Sequence, residues 1–105
     1  MVINKTPHDV HIVDENNNLV KTYERGDQIR LAVKTVRLEP LQDGTPVSQN
    51  EFGEPEGLPD YKPGVYYIVS QVVKNALYER VDLLVPAELV RDAKGNIIGC
   101  KSLGL

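Results

Sequence analysis

Both ends of this chain read as ordered strand. Residues 90–100 run Val90-Arg91-Asp92-Ala93-Lys94-Gly95-Asn96-Ile97-Ile98-Gly99-Cys100, two apolar segments around a polar turn. Gly95 supplies the positive φ that such a turn needs. At the other end, Asn4-Lys5-Thr6-Pro7-His8 leads into the apolar positions Val10 and Ile12. A chain of 105 residues builds one hydrophobic core, not two. The expectation is therefore a single domain over residues 1–105 with both extremities in one sheet.

Strand signals dominate the interior as well. Val10 and Ile12, then Leu19, flank the cluster Asp14-Glu15-Asn16-Asn17-Asn18. Asparagine tolerates left-handed backbone and bonds its own main chain, so residues 9–14 and 19–24 read as a hairpin. Arg25-Gly26-Asp27 is the next turn. It is also the integrin tripeptide, a chance match in a chain with these properties. Residues 29–38 form a long strand with Ile29, Leu31 and Val33 on one face. Val36 and Leu38 fall on the other, and the slip predicts a bulge near Lys34 and Thr35.

Residues 39–64 hold five prolines and four glycines. Proline deletes a ladder donor, so no central strand runs there. The expectation is a loop-rich region with a short edge segment at 47–52 and a surface loop at 53–64. Val65-Tyr66-Tyr67-Ile68-Val69 is the clearest strand. Ser70 then caps a two-turn helix over 70–78, where Val69, Val72, Val73, Ala76 and Leu77 recur at helical spacing. A short strand at 81–86 and a closing hairpin of 89–92 with 97–103 complete the chain. The fold class expected is α+β, mainly β. It is a curved antiparallel sheet of about six or seven strands, able to close toward a barrel, with one short helix near 70–78. Alternating βαβ units are not expected, nor is any glycine-rich phosphate loop.

Composition narrows the function. The formal charge is −3, which disfavours duplex nucleic acid as a bulk partner. One cysteine, Cys100, allows no internal disulfide and suits a reducing compartment. No apolar run reaches the ~18 residues of a membrane helix. A soluble, cytoplasmic protein is expected, with no membrane partner.

Individual residues bear on several chemistries. His8 and His11 point to opposite sides of a strand and do not chelate one ion together, so no metal site and no cofactor are expected. Cys100 with His8 would make a nucleophile and base, but Cys100 sits in an apolar strand context that suits a small buried hydrophobe. No catalytic residue is assigned. Glu54, Glu56 and Asp60 lie in the Pro/Gly stretch, where a loop holds no catalytic distance. A better constellation is non-catalytic. Arg91 and Lys101 would neutralise an anion, Tyr66 or Tyr67 would stack a base, and Ser70 and Asn96 would orient it; Thr6 and His8 join this candidate ligand set. Exposed sheet edges further suggest a homo-oligomer.

The segments Asn4-Lys5-Thr6-Pro7-His8, Gly44-Thr45-Pro46-Val47, Phe52 to Pro59, Pro63 to Ser70, Leu84-Val85-Pro86 and Val90 to Cys100 together resemble a set of small uncharacterised proteins of tailed phages, prophages and bacteria. The resemblance covers nearly the whole chain and carries no assigned catalytic residues. It implies a short accessory gene product, often viral, of the size of many anti-defence factors. The function expected is thus a non-enzymatic binding protein that sequesters a small anionic ligand such as a signalling nucleotide. The alternative is a protein–protein inhibitor that presents the acidic loop 51–62 to a host protein. A thiol enzyme built on Cys100 ranks third.

Overall fold

The computed structural model describes all residues from 1 to 105. Eight strands and one helix follow in the order β1 (Val2–Asn4), β2 (Val10–Val13), β3 (Leu19–Tyr23), β4 (Arg30–Arg37), β5 (Ser48–Glu56), β6 (Tyr66–Ile68), α1 (Gln71–Ala76), β7 (Leu83–Arg91) and β8 (Ile97–Gly104). Six strands form one sheet in the order β1-β6-β7-β8-β2-β3, and β4 pairs with β5 in a separate two-stranded ribbon. The large sheet curls until it is nearly closed, so the mainly-β α+β class expected from the sequence is what forms.

Strand pairing differs from that expectation in one respect. The large sheet is mixed, not antiparallel throughout: β1 with β6, β6 with β7 and β2 with β8 run parallel. For β6 and β7 the reason is the helix at 71–76. It carries the chain from the end of β6 back to the start of β7, so this segment is a βαβ unit, the one such unit in the chain. Both chain ends are nonetheless in this sheet, β1 at an edge and β8 inside it.

Side chains alternate across the strands and build a core on each face. Ile68 and Leu84 point inward with Val10 and Cys100, while Tyr67, Val69 and Leu83 point outward under Ile29 and the helix residue Val73. The helix is held at its start by Ser70, whose Oγ accepts from the Val73 N–H at 3.3 Å.

Two turns repeat one device. At Asp14–Asn18 and Asp92–Asn96 the aspartate Oδ1 accepts two backbone N–H groups, at 2.8 and 2.9 Å in the first and 2.8 and 3.0 Å in the second. The fourth residue of each goes left-handed: Asn17 at φ 63° and Gly95 at φ 85°. The sequence reading of both turns is met.

The Pro/Gly stretch is more ordered than expected. Residues 48–56 form β5 through Pro55, which a two-stranded ribbon tolerates because each strand has a free edge. The bulge lies between Leu31 and Val33, not near Lys34 and Thr35. It falls where Gly53 passes the Ala32 side chain, leaving 3.3 Å for an added Cβ. The loop after β5 is also tied down. Leu58 packs on the outer core, and Arg80 donates to the Pro59 carbonyl at 3.0 Å.

Arg80 also forms a bidentate pair with Asp82, at 2.8 and 2.7 Å, and Asp82 is 1% exposed. The Arg80 guanidinium holds the Asp82 carboxyl below the usual carboxylate range. A depressed carboxylate stabilises the fold above its unfolded pKa of about 3.9 and loses that contribution as pH falls through the lower folded value. Asp82→Asn should therefore cost about 3 kcal/mol at neutral pH, by analogy with broken buried ion pairs. In urea titrations the gap to wild type should shrink below about pH 4, and a gap that stays constant with pH would contradict the assignment.

The edges β1 and β3 meet through one buried side chain, Asn4, which is 5% exposed. Its Nδ2 donates to the carbonyls of His8 at 2.8 Å and of Tyr23, at the end of β3, at 3.0 Å. Its Oδ1 accepts from the Thr6 N–H at 2.9 Å and the Thr6 Oγ1 at 2.7 Å. Gly26 completes the seam: its N–H donates to the Thr6 carbonyl, and a Cβ there would stand 2.3 Å from the Asn4 carbonyl oxygen. Asn4→Ala strips a buried amide of all four bonds and should destabilise the fold by about 3 kcal/mol in chemical denaturation. A loss below about 1 kcal/mol would show the seam closing without it.

Candidate functional site

Strand direction decides where a site can sit. Parallel strands β1, β6 and β7 finish at the same end of the sheet at which β2 and β8 begin. The loops at that end surround a cleft of about 520 Å³. This is the size and position at which small-molecule sites occur, at the mouth of a curled sheet and beyond the carboxyl ends of parallel strands.

Each wall has a local cause. Thr6, Pro7 and His8 come from the β1–β2 loop, which Asn4 folds back on itself. Ser70 and Gln71 come from the helix start that Val69 leads into. Val85, Pro86 and Leu89 come from β7, where the backbone turns left-handed at Glu88 (φ 51°) between the last two. Glu88 is held there by the Ser102 hydroxyl, which donates to its Oε2 at 2.7 Å. Ile97 to Cys100 come from the start of β8.

The floor depends on Gly99. A Cβ there would lie 3.0 Å from both the His11 carbonyl oxygen and the Val13 Cγ1. Only glycine lets β8 approach β2 closely enough for Ile12 to pair with Cys100, the single register point between those strands. Val10 and His11 of β2 and Ile97 to Cys100 of β8 line the cleft together here.

The lining is mostly apolar. Leu89, Ile97 and Ile98 remain 45%, 55% and 45% exposed and line the same cleft, a grouping of apolar side chains and not singly scattered ones. The polar groups converge from one side: Thr6, His8, Ser70 and Gln71, with Gln28 and His11. No lysine or arginine lines the cleft. Asp9 lies at its margin and is occupied by Arg25, whose backbone N–H and guanidinium both donate to it; those bonds hold its carboxyl below the usual range.

Of the eight residues singled out in the sequence, three meet here: Thr6, His8 and Ser70. The others are dispersed. Arg91 donates to the Gly95 carbonyl at 2.9 Å, and the Asn96 N–H to Asp92, so both serve the closing turn. Lys101 pairs with Glu15 at 3.3 Å. Tyr67 is buried in the outer core and Tyr66 is part-exposed on β6 beside β1. Residues 51–56 of the proposed acidic loop lie on β5. The sequence reading missed Pro86, Leu89, Ile97 and Ile98. Two adjacent isoleucines in a strand cannot share one face, so Ile97-Ile98 was the available signal that one of them needs a second partner.

Cys100 closes the bottom of the cleft at 1% exposure, and its thiol donates to the His11 carbonyl at 3.6 Å. Burial pushes the thiol up from its ordinary value, away from the thiolate. Native protein should therefore react with a thiol reagent at least tenfold more slowly than protein in denaturant, as a buried thiol does. Equal rates in the two states would contradict that placement.

No cluster of three or more His, Cys, Asp or Glu side chains is placed to hold a metal ion. No helix is long and apolar enough to cross a membrane. No protein-family model, curated protein or solved structure matches the chain.

Proposed function

We propose that the chain is a non-enzymatic binding protein that holds a small ligand in the cleft at the end of the curled sheet. One observation carries the reading. The segments Thr6-Pro7-His8, Val69-Ser70, Val85-Pro86 and Ile97 to Cys100, far apart in sequence, line a single cavity. They are also among the segments on which the resemblance to phage, prophage and bacterial proteins rests. That convergence supports a phage or prophage accessory role in which capture of the ligand is the activity.

The wall chemistry supports a ligand of two parts. An apolar or planar ring packs against Leu89, Ile97 and Ile98. A polar or anionic end meets Thr6, His8 and Ser70. A signalling nucleotide has both, and the volume suits one nucleotide-sized molecule. With no guanidinium or ammonium on the wall, base and sugar contacts contribute more to affinity than phosphate neutralisation. Arg91 and Lys101 are placed for the closing turn and for Glu15, so they enter this reading only as neighbours in the same hairpin.

A thermal-shift panel of cyclic dinucleotides, mononucleotides and ADP-ribose derivatives tests it. At least one should raise the melting temperature of the wild type. Ile98→Trp, which fills the cleft, should remove that shift while the unliganded protein melts as before. A ligand that binds wild type and Ile98→Trp equally would place the site elsewhere. No shift with any nucleotide would overturn the nucleotide assignment.

A further inference from the structure

Not every polar group on the cleft wall is available to a ligand. The Thr6 hydroxyl has two acceptors beside it, the Asn4 Oδ1 at 2.7 Å and the His8 carbonyl at 3.0 Å, so its one proton is spent within the chain. His11 shares its Nδ1 with the Thr22 hydroxyl at 3.0 Å. Gln71 donates from its amide to the Asn75 Oδ1 at 2.9 Å. Three groups remain. The Ser70 Oγ accepts from the Val73 N–H and keeps its own proton to give. His8 is bonded through its backbone alone, and the residue is exposed. Gln28 is exposed as well, and its carboxamide has no partner in the chain.

The three remaining groups are of mixed sense. Gln28 brings two donors and an acceptor, a neutral His8 brings one of each, and Ser70 brings a donor. A phosphate or carboxylate is an acceptor only, and it would leave the Gln28 carbonyl and an imidazole nitrogen unmatched. Charge points the same way. Asp9 is the one carboxylate on the wall, and Arg25 donates to both of its oxygens, at 3.2 and 3.3 Å. The formal charge of −3 adds no attraction for an anion. The apolar part of the wall, Leu89, Ile97 and Ile98, offers surface and no polar atom.

We propose that the cleft takes an uncharged nitrogen heterocycle, the base of a nucleoside, and leaves any phosphate attached to it in solvent. The ring packs its apolar face on Leu89, Ile97 and Ile98. Its edge, where donors and acceptors lie side by side, meets Gln28, His8 and Ser70, as a carboxamide meets the edge of a base through paired bonds. Given that the cleft is the ligand site, as proposed above, the free nucleoside is as good a ligand as its phosphorylated forms.

Isothermal titration of the full chain at mildly alkaline pH tests this, with adenosine, guanosine, cytidine and uridine each set against its monophosphate. At least one nucleoside should bind, with a Kd within about threefold of its monophosphate's, where a gripped phosphate would gain about tenfold or more. The Kd of that monophosphate should change by less than about twofold between roughly 50 and 500 mM NaCl, because salt screens contacts between charges. Gln28→Ala and His8→Ala remove side chains that bond nothing in the chain, so the melting temperature should hold. Each should weaken nucleoside and monophosphate alike, by about tenfold. A monophosphate that binds about tenfold more tightly than its nucleoside, or that salt releases, would overturn the inference and leave the cleft as the site if Ile98→Trp still blocks it. Binding indifferent to both Gln28→Ala and His8→Ala would overturn the inference as well. A nucleoside that binds Ile98→Trp as it binds wild type would remove the cleft itself as the site, and no binding by any of these compounds would overturn both.

Discussion

The fold depends on closing a six-stranded sheet with a single carboxamide. Asn4 sits where the last hydrogen-bonding edge of β1 faces the end of β3, and it is too buried to leave any polar atom without a partner. It spends both donors and both acceptor sites, bonding Thr6, His8 and Tyr23 together. A backbone ladder would fix only the strands. A side chain with two donors and two acceptors fixes the strand, the next loop and the far edge at once. Gly26 then presses against the Asn4 backbone at a distance that no Cβ would allow. Closure and the shape of the Thr6-Pro7-His8 loop are one event, and that loop is a wall of the cleft.

A second constraint acts at the opposite wall. Gly99 lets β8 touch β2 at one register point. The cavity is thus bounded by a seam that must close and by a pair of strands whose close approach needs a glycine. Charge is used elsewhere. Arg80 and Asp82 fasten the loop at Pro59 to the outer core, and Arg25 and Asp9 brace the margin of the cleft. The cleft wall itself carries almost none: Asp9 is its one carboxylate, and Arg25 pairs with it.

Much of this was legible in the sequence, and the failures have physical causes. The turns at Asp14–Asn18 and Asp92–Asn96 were readable because aspartate, asparagine and glycine impose a local hydrogen-bond pattern. The helix was readable from Ser70 and the spacing of its valines. The parallel pairing was not: between β6 and β7 it follows from a helix six residues long, a length that periodicity barely registers, and β1–β6 and β2–β8 join strands far apart in the chain. The strand through Pro55 was missed because proline is excluded only where both edges of a strand are paired. Of the candidate residues, Thr6, His8 and Ser70 meet at the cleft, and Ser70 was readable as a helix cap. Arg91, Lys101 and Asn96 were chosen for their chemistry alone, and each has a structural partner that only the folded chain reveals.

Native-state hydrogen exchange at the seam addresses the central claim most directly. The amides of Thr6 and Gly26 lie outside any strand, yet each donates to a group at the closure: the Asn4 side chain and the Thr6 carbonyl. If the Asn4 seam holds the sheet closed, these two should exchange only as slowly as the core amides of β6 and β7, through global unfolding. Fast exchange at Thr6 and Gly26, with β6 and β7 still protected, would mean that the seam opens while the fold persists, and that something other than Asn4 keeps the sheet curled.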